Sequence, residues 1–332
     1  MKFCSNCVLP DTFPGIEFDK DGKCNYCLHI QLPDDQKKRE YTKKFEELLE
    51  SVKGKYDYDV IMAFSGGKDS TYTMYKLADK YNLNILALTF DNGFISEKAM
   101  ENIIRMTDLC KATSLIIRPS FQKMKKIFKI AATKDLYNAK TLDRASSLCT
   151  TCISHVKSLV LKTAIEKNIP LVAYGWTPGQ APITSAIMQT SPRLQNISHK
   201  TTRDPILENC RELSSYFLSD NDLNNIDKKR WPINIHPLAF FEYDEKAILK
   251  FIKSLGWEEP LDTDPNSSNC VLNALANYLH RKRFNFHPYA WEMAGIVRSG
   301  SMKREDGIAK TIQEEDISMV NFGAKMLDIS LK

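Results

Sequence analysis

A chain of 332 residues, 43% hydrophobic and 26% charged, is long enough for one large domain with appendages or for two small domains, and it reads as globular. With 46 basic against 41 acidic residues, the net charge of +5 suits nucleotides and other anions but is too mild to demand a nucleic acid, so RNA stays open. No apolar run approaches the roughly 20 residues that span a bilayer, and the start Met1-Lys2-Phe3-Cys4 lacks an export signal; the expectation is a cytoplasmic protein whose nine cysteines are metal ligands or catalytic thiols rather than disulfides.

The first 30 residues set Cys4-Ser5-Asn6-Cys7 and Cys24-Asn25-Tyr26-Cys27 among turn formers. Two such pairs let two knuckles present four thiolates tetrahedrally to Zn²⁺, a closed structural site; free thiols or a redox dithiol are the other readings. A zinc knuckle is therefore expected over 1–30. The charged stretch from Asp34 to Glu50 carries apolar residues at helical spacing before Gly54, which predicts a helical arm over 31–55.

From Tyr56 the texture changes to short apolar runs separated by helical patterns: Asp59 to Phe64, Ile85 to Phe90, Leu115 to Ile117, and Leu171 to Tyr174. Such alternation predicts an α/β fold, a doubly wound parallel sheet with helices on both faces. Ser65-Gly66-Gly67-Lys68-Asp69-Ser70 follows the first run and opens a helical pattern. Two glycines let the backbone approach an anion, the helix start favours negative charge, Lys68 adds a point charge, and Asp69 can hold the Mg²⁺ that accompanies ATP. A mere strand-to-helix turn would need the glycines but has no use for Ser, Lys, Asp and Ser together.

This string resembles the signature of the PP-loop ATP pyrophosphatases, or adenine nucleotide alpha hydrolase-like enzymes, and lacks the spacing of a Walker loop. The resemblance implies cleavage of ATP to AMP and pyrophosphate, with adenylation of a carbonyl or carboxyl oxygen that a nucleophile then displaces. It also implies that Ser65 to Ser70 bind the phosphates, that Thr89-Phe90-Asp91 lies beside the adenosine, and that Gly175 lines the same cleft.

Cys149-Thr150-Thr151-Cys152 follows Ser146-Ser147 and precedes Ile153, His155, Val156 and Leu159 at helical spacing. A pair at a helix start is expected to have lowered thiol pKa values, suited to binding metal or attacking sulfur. One distant cysteine, Cys270, precedes another helical segment. A pair plus a distant cysteine resembles the tRNA-thiolation branch of the PP-loop family, where three such thiols hold a 4Fe-4S cluster with one open iron or relay sulfur as a persulfide. A second small zinc site at Cys149 and Cys152, or a Cys270 that is simply buried, are the alternatives. Cys110 and Cys210 read as core residues.

Two further features pull in different directions. The string from Cys4 to Cys27, with Leu9-Pro10-Asp11-Thr12-Phe13-Pro14-Gly15-Ile16, resembles the start of N-acetyl sugar amidotransferases, which take ammonia from a glutaminase subunit; Cys149-Thr150-Thr151-Cys152 is not expected in them. After the fourth strand, Tyr174-Gly175-Trp176-Thr177-Pro178-Gly179-Gln180 departs from the Gly-His and paired aspartates common in tRNA thiolases. Arg281-Lys282-Arg283 and Arg298 could meet an anionic substrate or RNA, or form a solvated helix face.

The sequence thus predicts a PP-loop domain over 56–186 and a helical C-terminal part over 187–332 covering the cleft, with a helix from Glu245 to Leu255 and residues 187–230 without a legible pattern. The leading function is ATP-dependent sulfur transfer with Lys68, Asp69, Cys149, Cys152 and Cys270 as the chemical residues. ATP, Mg²⁺, Zn²⁺ and a 4Fe-4S cluster are the cofactors to expect. The acceptor would be a small molecule, a carrier-bound intermediate or tRNA, the partner a sulfur-donor protein, and a homodimer stays open. Ammonia-dependent amidotransfer to a sugar is the alternative enzyme, and a nucleotide-binding regulator the non-enzymatic one.

Overall fold

The computed structural model describes residues 1–331. Its centre is a six-stranded sheet in the order β3-β2-β1-β4-β6-β5, with β1 Val60–Ala63, β2 Ile85–Phe90, β3 Thr113–Ile117, β4 Leu171–Tyr174, β5 Ile187–Gln189 and β6 Ile233–Ile235. All neighbours are parallel except β5, which runs antiparallel to β6. The α/β fold expected from the alternating runs is present, with the cysteine knuckle at the N-terminus and a helical C-terminal part.

The sheet is buried on both faces because its inner strands β1, β2 and β4 are apolar at every position but Thr89. Ile61, Leu86, Leu88, Phe90, Val172 and Tyr174 point into one layer, packed by the helices Phe121–Thr133, Ser147–Glu166 and Asn273–Phe284. Val60, Met62, Ile85, Ala87, Leu171 and Ala173 point into the other, where Phe45, Leu49, Leu77, Ile252 and Trp257 meet them. Period-two side-chain direction thus divides each strand between two cores.

The sheet does not stop at residue 186. β6 adds to β4 in parallel, Val172 opposite Asn234, and β5 closes the edge, so the division drawn at 186 runs through the sheet. Between β5 and β6 the chain makes short helical turns whose Ile206, Leu213 and Phe217 join the first core. The expected helix from Glu245 is present over Glu245–Ser254, with Asp244 capping the amides of Lys246 and Ala247. Among the described residues no helix is long and apolar enough to cross a membrane.

Candidate active site

β1 runs parallel to β2 on one side and β4 on the other, and the connections after β1 and β4 diverge; a crevice opens there, at the carboxyl ends of the strands. The turn after β1 carries Ser65 to Ser70. Gly66 has φ +72°, and a Cβ on it would lie 2.5 Å from the Ala99 carbonyl oxygen, so the turn requires glycine. Gly175, after β4, passes so near the loop helix Lys68–Asp79 that a Cβ would lie 2.6 Å from Ser70 Cα. The indole of Trp257 donates to the Gly66 carbonyl at 2.8 Å, pinning the turn from behind. The amides at the helix start are met by hydroxyl oxygens: Gly67 N–H by Ser65 at 3.4 Å and Lys68 N–H by Ser268 at 3.1 Å. These are weak partners that an anion would replace with gain.

Lys68 Nζ lies 2.6 Å from Asp69 Oδ2 and 3.5 Å from Glu245 Oε1. Burial pulls its pKa down, but the negative charge of Asp69 above all, with Tyr243 and Glu245, holds it well above the ordinary lysine value. Tyr243 OH donates to Asp69 Oδ1 at 3.1 Å, and Lys310 reaches Glu245 Oε2 at 3.1 Å. Facing the same recess, Glu292 accepts from Thr177 Oγ1 at 2.8 Å; burial pushes its pKa up to about 7, against the pull of that hydrogen bond and of Lys68. Three carboxylates and two lysines thus crowd one end of the crevice, donor chemistry that fits Mg²⁺ with a polyphosphate.

A cavity of about 300 Å³ is lined by Ser65 and Ser70, by Thr89, Phe90 and Gly175, and by Cys149, Cys152 and Cys270. Cys149 and Cys152 sit in the first turns of helix Ser147–Glu166, whose N-cap Ser146 accepts from the Cys149 amide at 3.2 Å. Cys270 arrives from more than a hundred residues away because the segment after β2 forms a bridge with it: Ile95 pairs with Cys270, and Val271 N–H donates to the Phe94 carbonyl at 3.1 Å. Two amides point at the thiols, Asn92 Nδ2 at 3.3 Å from Cys152 Sγ and Asn273 Nδ2 at 3.8 Å from Cys149 Sγ.

The expected lowering of the thiol pKa values is overturned. Burial raises all three, Cys152 to about 12, and the hydrogen bonds from Asn92, Ser146 and Asn273 only offset part of it. Desolvation of a thiolate outweighs a helix start when the sulfur faces a largely apolar cavity. A metal centre or a bound sulfur atom, rather than the helix, would have to supply the stabilisation. Three thiols converging on one cavity, with amide donors beside them, fit the ligand set of an iron–sulfur cluster with one open iron.

Asp91, expected beside the adenosine, stands at the end of β2 with partners of its own. Its carboxylate accepts from Gly93 N–H at 2.9 Å and pairs with Arg118 at 3.3 Å, and Asn92 takes the cavity wall instead. The basic residues singled out after Cys270 are likewise engaged: Arg281 pairs with Glu315 at 3.4 Å, Arg283 with Asp135 at 3.0 Å, and Arg298 faces the knuckle. Of the expected core cysteines, Cys210 is fully buried and Cys110 partly so.

The four knuckle cysteines are buried, and their sulfurs all lie within 4.8 Å of one another, with Cys4 to Cys27 and Cys7 to Cys24 both at 3.9 Å. Zn–S bonds of ~2.3 Å in a tetrahedron place sulfurs about 3.8 Å apart, so the group fits a single zinc ion. Among the described residues no other group of three or more His, Cys, Asp or Glu is drawn together in this way.

The chain is 32% identical over 309 residues to an uncharacterized protein of Methanocaldococcus jannaschii, MJ1599, a match that spans 91% of this chain and 90% of that one. No protein-family model matches it. Among solved structures it is similar, with low scores, to the U34-tRNA thiolase NcsA from Methanococcus maripaludis with its [4Fe-4S] cluster (14% identity, 100% of this chain and 90% of that chain, TM-score 0.39). The NMN synthetase of Francisella tularensis (13% identity, 89% and 98%, TM-score 0.40) and the NH3-dependent NAD synthetase of Campylobacter jejuni (15% identity, 80% and 94%, TM-score 0.38) are similar to the same degree.

Proposed function

We propose that this chain, which belongs to the same family as the uncharacterized Methanocaldococcus protein, is a PP-loop ATP pyrophosphatase that replaces a carbonyl oxygen of its substrate with sulfur. One observation carries the reading: Ser65 and Ser70 of the glycine loop and the thiols of Cys149, Cys152 and Cys270 line the same cavity. ATP with Mg²⁺ would take the loop amides, Lys68 and Asp69, while the adenosine side would meet Phe90 and Gly175. An amide oxygen of the acceptor attacks the α-phosphorus, a P–O bond forms, and the bond to pyrophosphate breaks. Lys68 and the loop amides neutralise the charge that gathers on the departing phosphates. A sulfur nucleophile then adds to the activated carbon, and AMP leaves with the former carbonyl oxygen. The net change is oxygen for sulfur, with ATP converted to AMP and pyrophosphate.

Cys149, Cys152 and Cys270 would hold the sulfur in the same cavity that the loop serines Ser65 and Ser70 line. A 4Fe-4S cluster on them would supply an open iron that carries sulfide. The acceptor is a small molecule, a carrier-bound intermediate or a tRNA base, and a donor protein must restore the sulfur after each turnover.

Anaerobic purification followed by iron, sulfide and zinc analysis tests this on the wild type and on Cys149→Ala. One cluster beside one zinc in the wild type, with the cluster lost in the variant, is the expected result. Zinc alone, unaltered by the substitution, removes the cluster. The N-terminal likeness to sugar amidotransferases then becomes the better guide, with ammonia from a glutaminase partner as the nucleophile and Cys149→Ala still active.

A further inference from the structure

Four thiolates around one divalent ion leave two net negative charges, here among side chains that are almost wholly buried. Such a centre needs a counter-charge, and only one cationic side chain among the described residues donates to its sulfurs. Arg298 Nη1 stands 3.8 Å from Cys7 Sγ and 3.8 Å from Cys27 Sγ. Arg304, the other arginine at the knuckle, donates instead to the Cys4 and Cys7 carbonyls at 2.7–3.0 Å and so fixes the turn rather than the sulfurs.

Arg298 is also the last residue of helix Ala290–Arg298. Its guanidinium lies 5.2 Å from the ring centroid of Trp291, which stacks on Phe13 of the knuckle and has Arg144, a cavity residue, at 5.1 Å. The next residue on the helix is Glu292, bonded to Thr177 beside the loop recess. One turn on, Gly295 is in such close backbone contact with Gly179 that neither position admits a Cβ. A single rigid helix therefore joins the knuckle sulfurs at its end to the polyphosphate end of the crevice near its start.

We propose that Arg298 is a positioning residue that neutralises the metal–thiolate knuckle and thereby clamps helix Ala290–Arg298, so that occupancy of the knuckle sets how Glu292 faces the ATP loop. The proposal rests on reading the knuckle as a metal site and the loop as an ATP site. An empty knuckle has no ion to gather four sulfurs and their charge at the tip of Arg298. The guanidinium is then free to leave, and the helix end loses an anchor.

The test compares zinc-loaded wild type, metal-stripped wild type, Arg298→Met and Arg298→Lys. Zinc transfer to a chromophoric chelator is timed, and Mg-ATP affinity is measured by calorimetry. Arg298→Met should release zinc about tenfold faster, the scale of losing an outer partner of a metal ligand, with Arg298→Lys between it and the wild type. Stripping the metal or removing the guanidinium should each weaken Mg-ATP by about fivefold, the lower end of ordinary coupling, and Arg298→Met should add little in a Glu292→Gln background. Zinc release from Arg298→Met at the wild-type rate overturns the neutralising role. Faster release with Mg-ATP affinity untouched in both Arg298→Met and stripped protein overturns the coupling. A wild type that takes up no zinc defeats the proposal through the knuckle reading, and one that takes up zinc but binds no Mg-ATP defeats it through the loop reading. Should Arg298→Met fail to fold, Arg298→Lys and the stripped wild type report the same two quantities.

Discussion

Glu292 has the Thr177 hydroxyl on one oxygen, and Lys68, Asp69 and Glu245 within electrostatic reach. Its pKa lies near 7 against an ordinary 4.5, chiefly because burial disfavours the carboxylate. Between those values the folded state holds a proton that the unfolded chain has released. Its contribution to stability is therefore full below about pH 4.5 and is lost as pH rises through 7. In nucleotide-free protein, Tm of the wild type should fall relative to Glu292→Gln as pH is raised from 5 to 8; parallel curves would show that the carboxyl is ionised throughout. Nothing local announced this residue. Lys68 and Asp69 were legible because a loop motif is contiguous, whereas Glu292, Tyr243 and Glu245 reach the same recess from the C-terminal part. Asn92 did have a signal, standing directly after Thr89-Phe90-Asp91 at a strand end, but the resemblance pointed to its neighbour.

At the scale of elements, the arm and the sheet show how far patterning reaches. The arm helix Asp35–Val52 lies within the expected segment, capped by Asp34 at the Lys37 amide, with Phe45, Leu49 and Val52 on its buried face. Phe45 is fully buried and stacks on Phe240 with centroids 4.2 Å apart and rings 7° from parallel. Phe45→Ala should cost about 3–5 kcal/mol of stability, read from urea unfolding, since it opens a cavity beside the second core. A loss below 1 kcal/mol would mean that the arm is undocked in solution. Four of the six strands were visible as apolar runs, while β5 and β6 were not. Each is three residues long, and Ile233-Asn234-Ile235 carries a polar residue at its centre, so neither length nor an apolar run marks them; pairing of β6 with β4, and of β5 with β6, makes them strands.

Over the whole molecule, burial has a cost on the acid side. His155, His236 and His280 are held near pKa 4 and His287 near 3, in each case mainly by desolvation of the imidazolium. Unfolding returns them to about 6.5, so the unfolded chain binds more protons in the interval, and stability present above pH 6.5 drains away as pH falls toward 4. Near pH 5 the unfolding free energy should slope with pH by about three protons, outweighing the opposite trend of Glu292. A flat profile from pH 7 to 4.5 would show these rings solvated or already protonated. The sequence by itself determined what contiguous residues encode: the glycine loop of Ser65 to Ser70, the two cysteine pairs of the knuckle, the Cys149 and Cys152 pair at a helix start, and a parallel sheet from alternating apolar runs. Only the tertiary structure decided which of these meet. Strand order turns the loop and Gly175 toward one crevice, the bridge of Ile95 to Cys270 completes the trio of thiols, and the knuckle packs on the last helices through Phe13, Phe286 and Ala294. The physical reason is that a motif is fixed by local backbone preference, whereas a site depends on long-range packing, and the same burial that gathers its groups reverses the thiol pKa values that a helix start alone would predict.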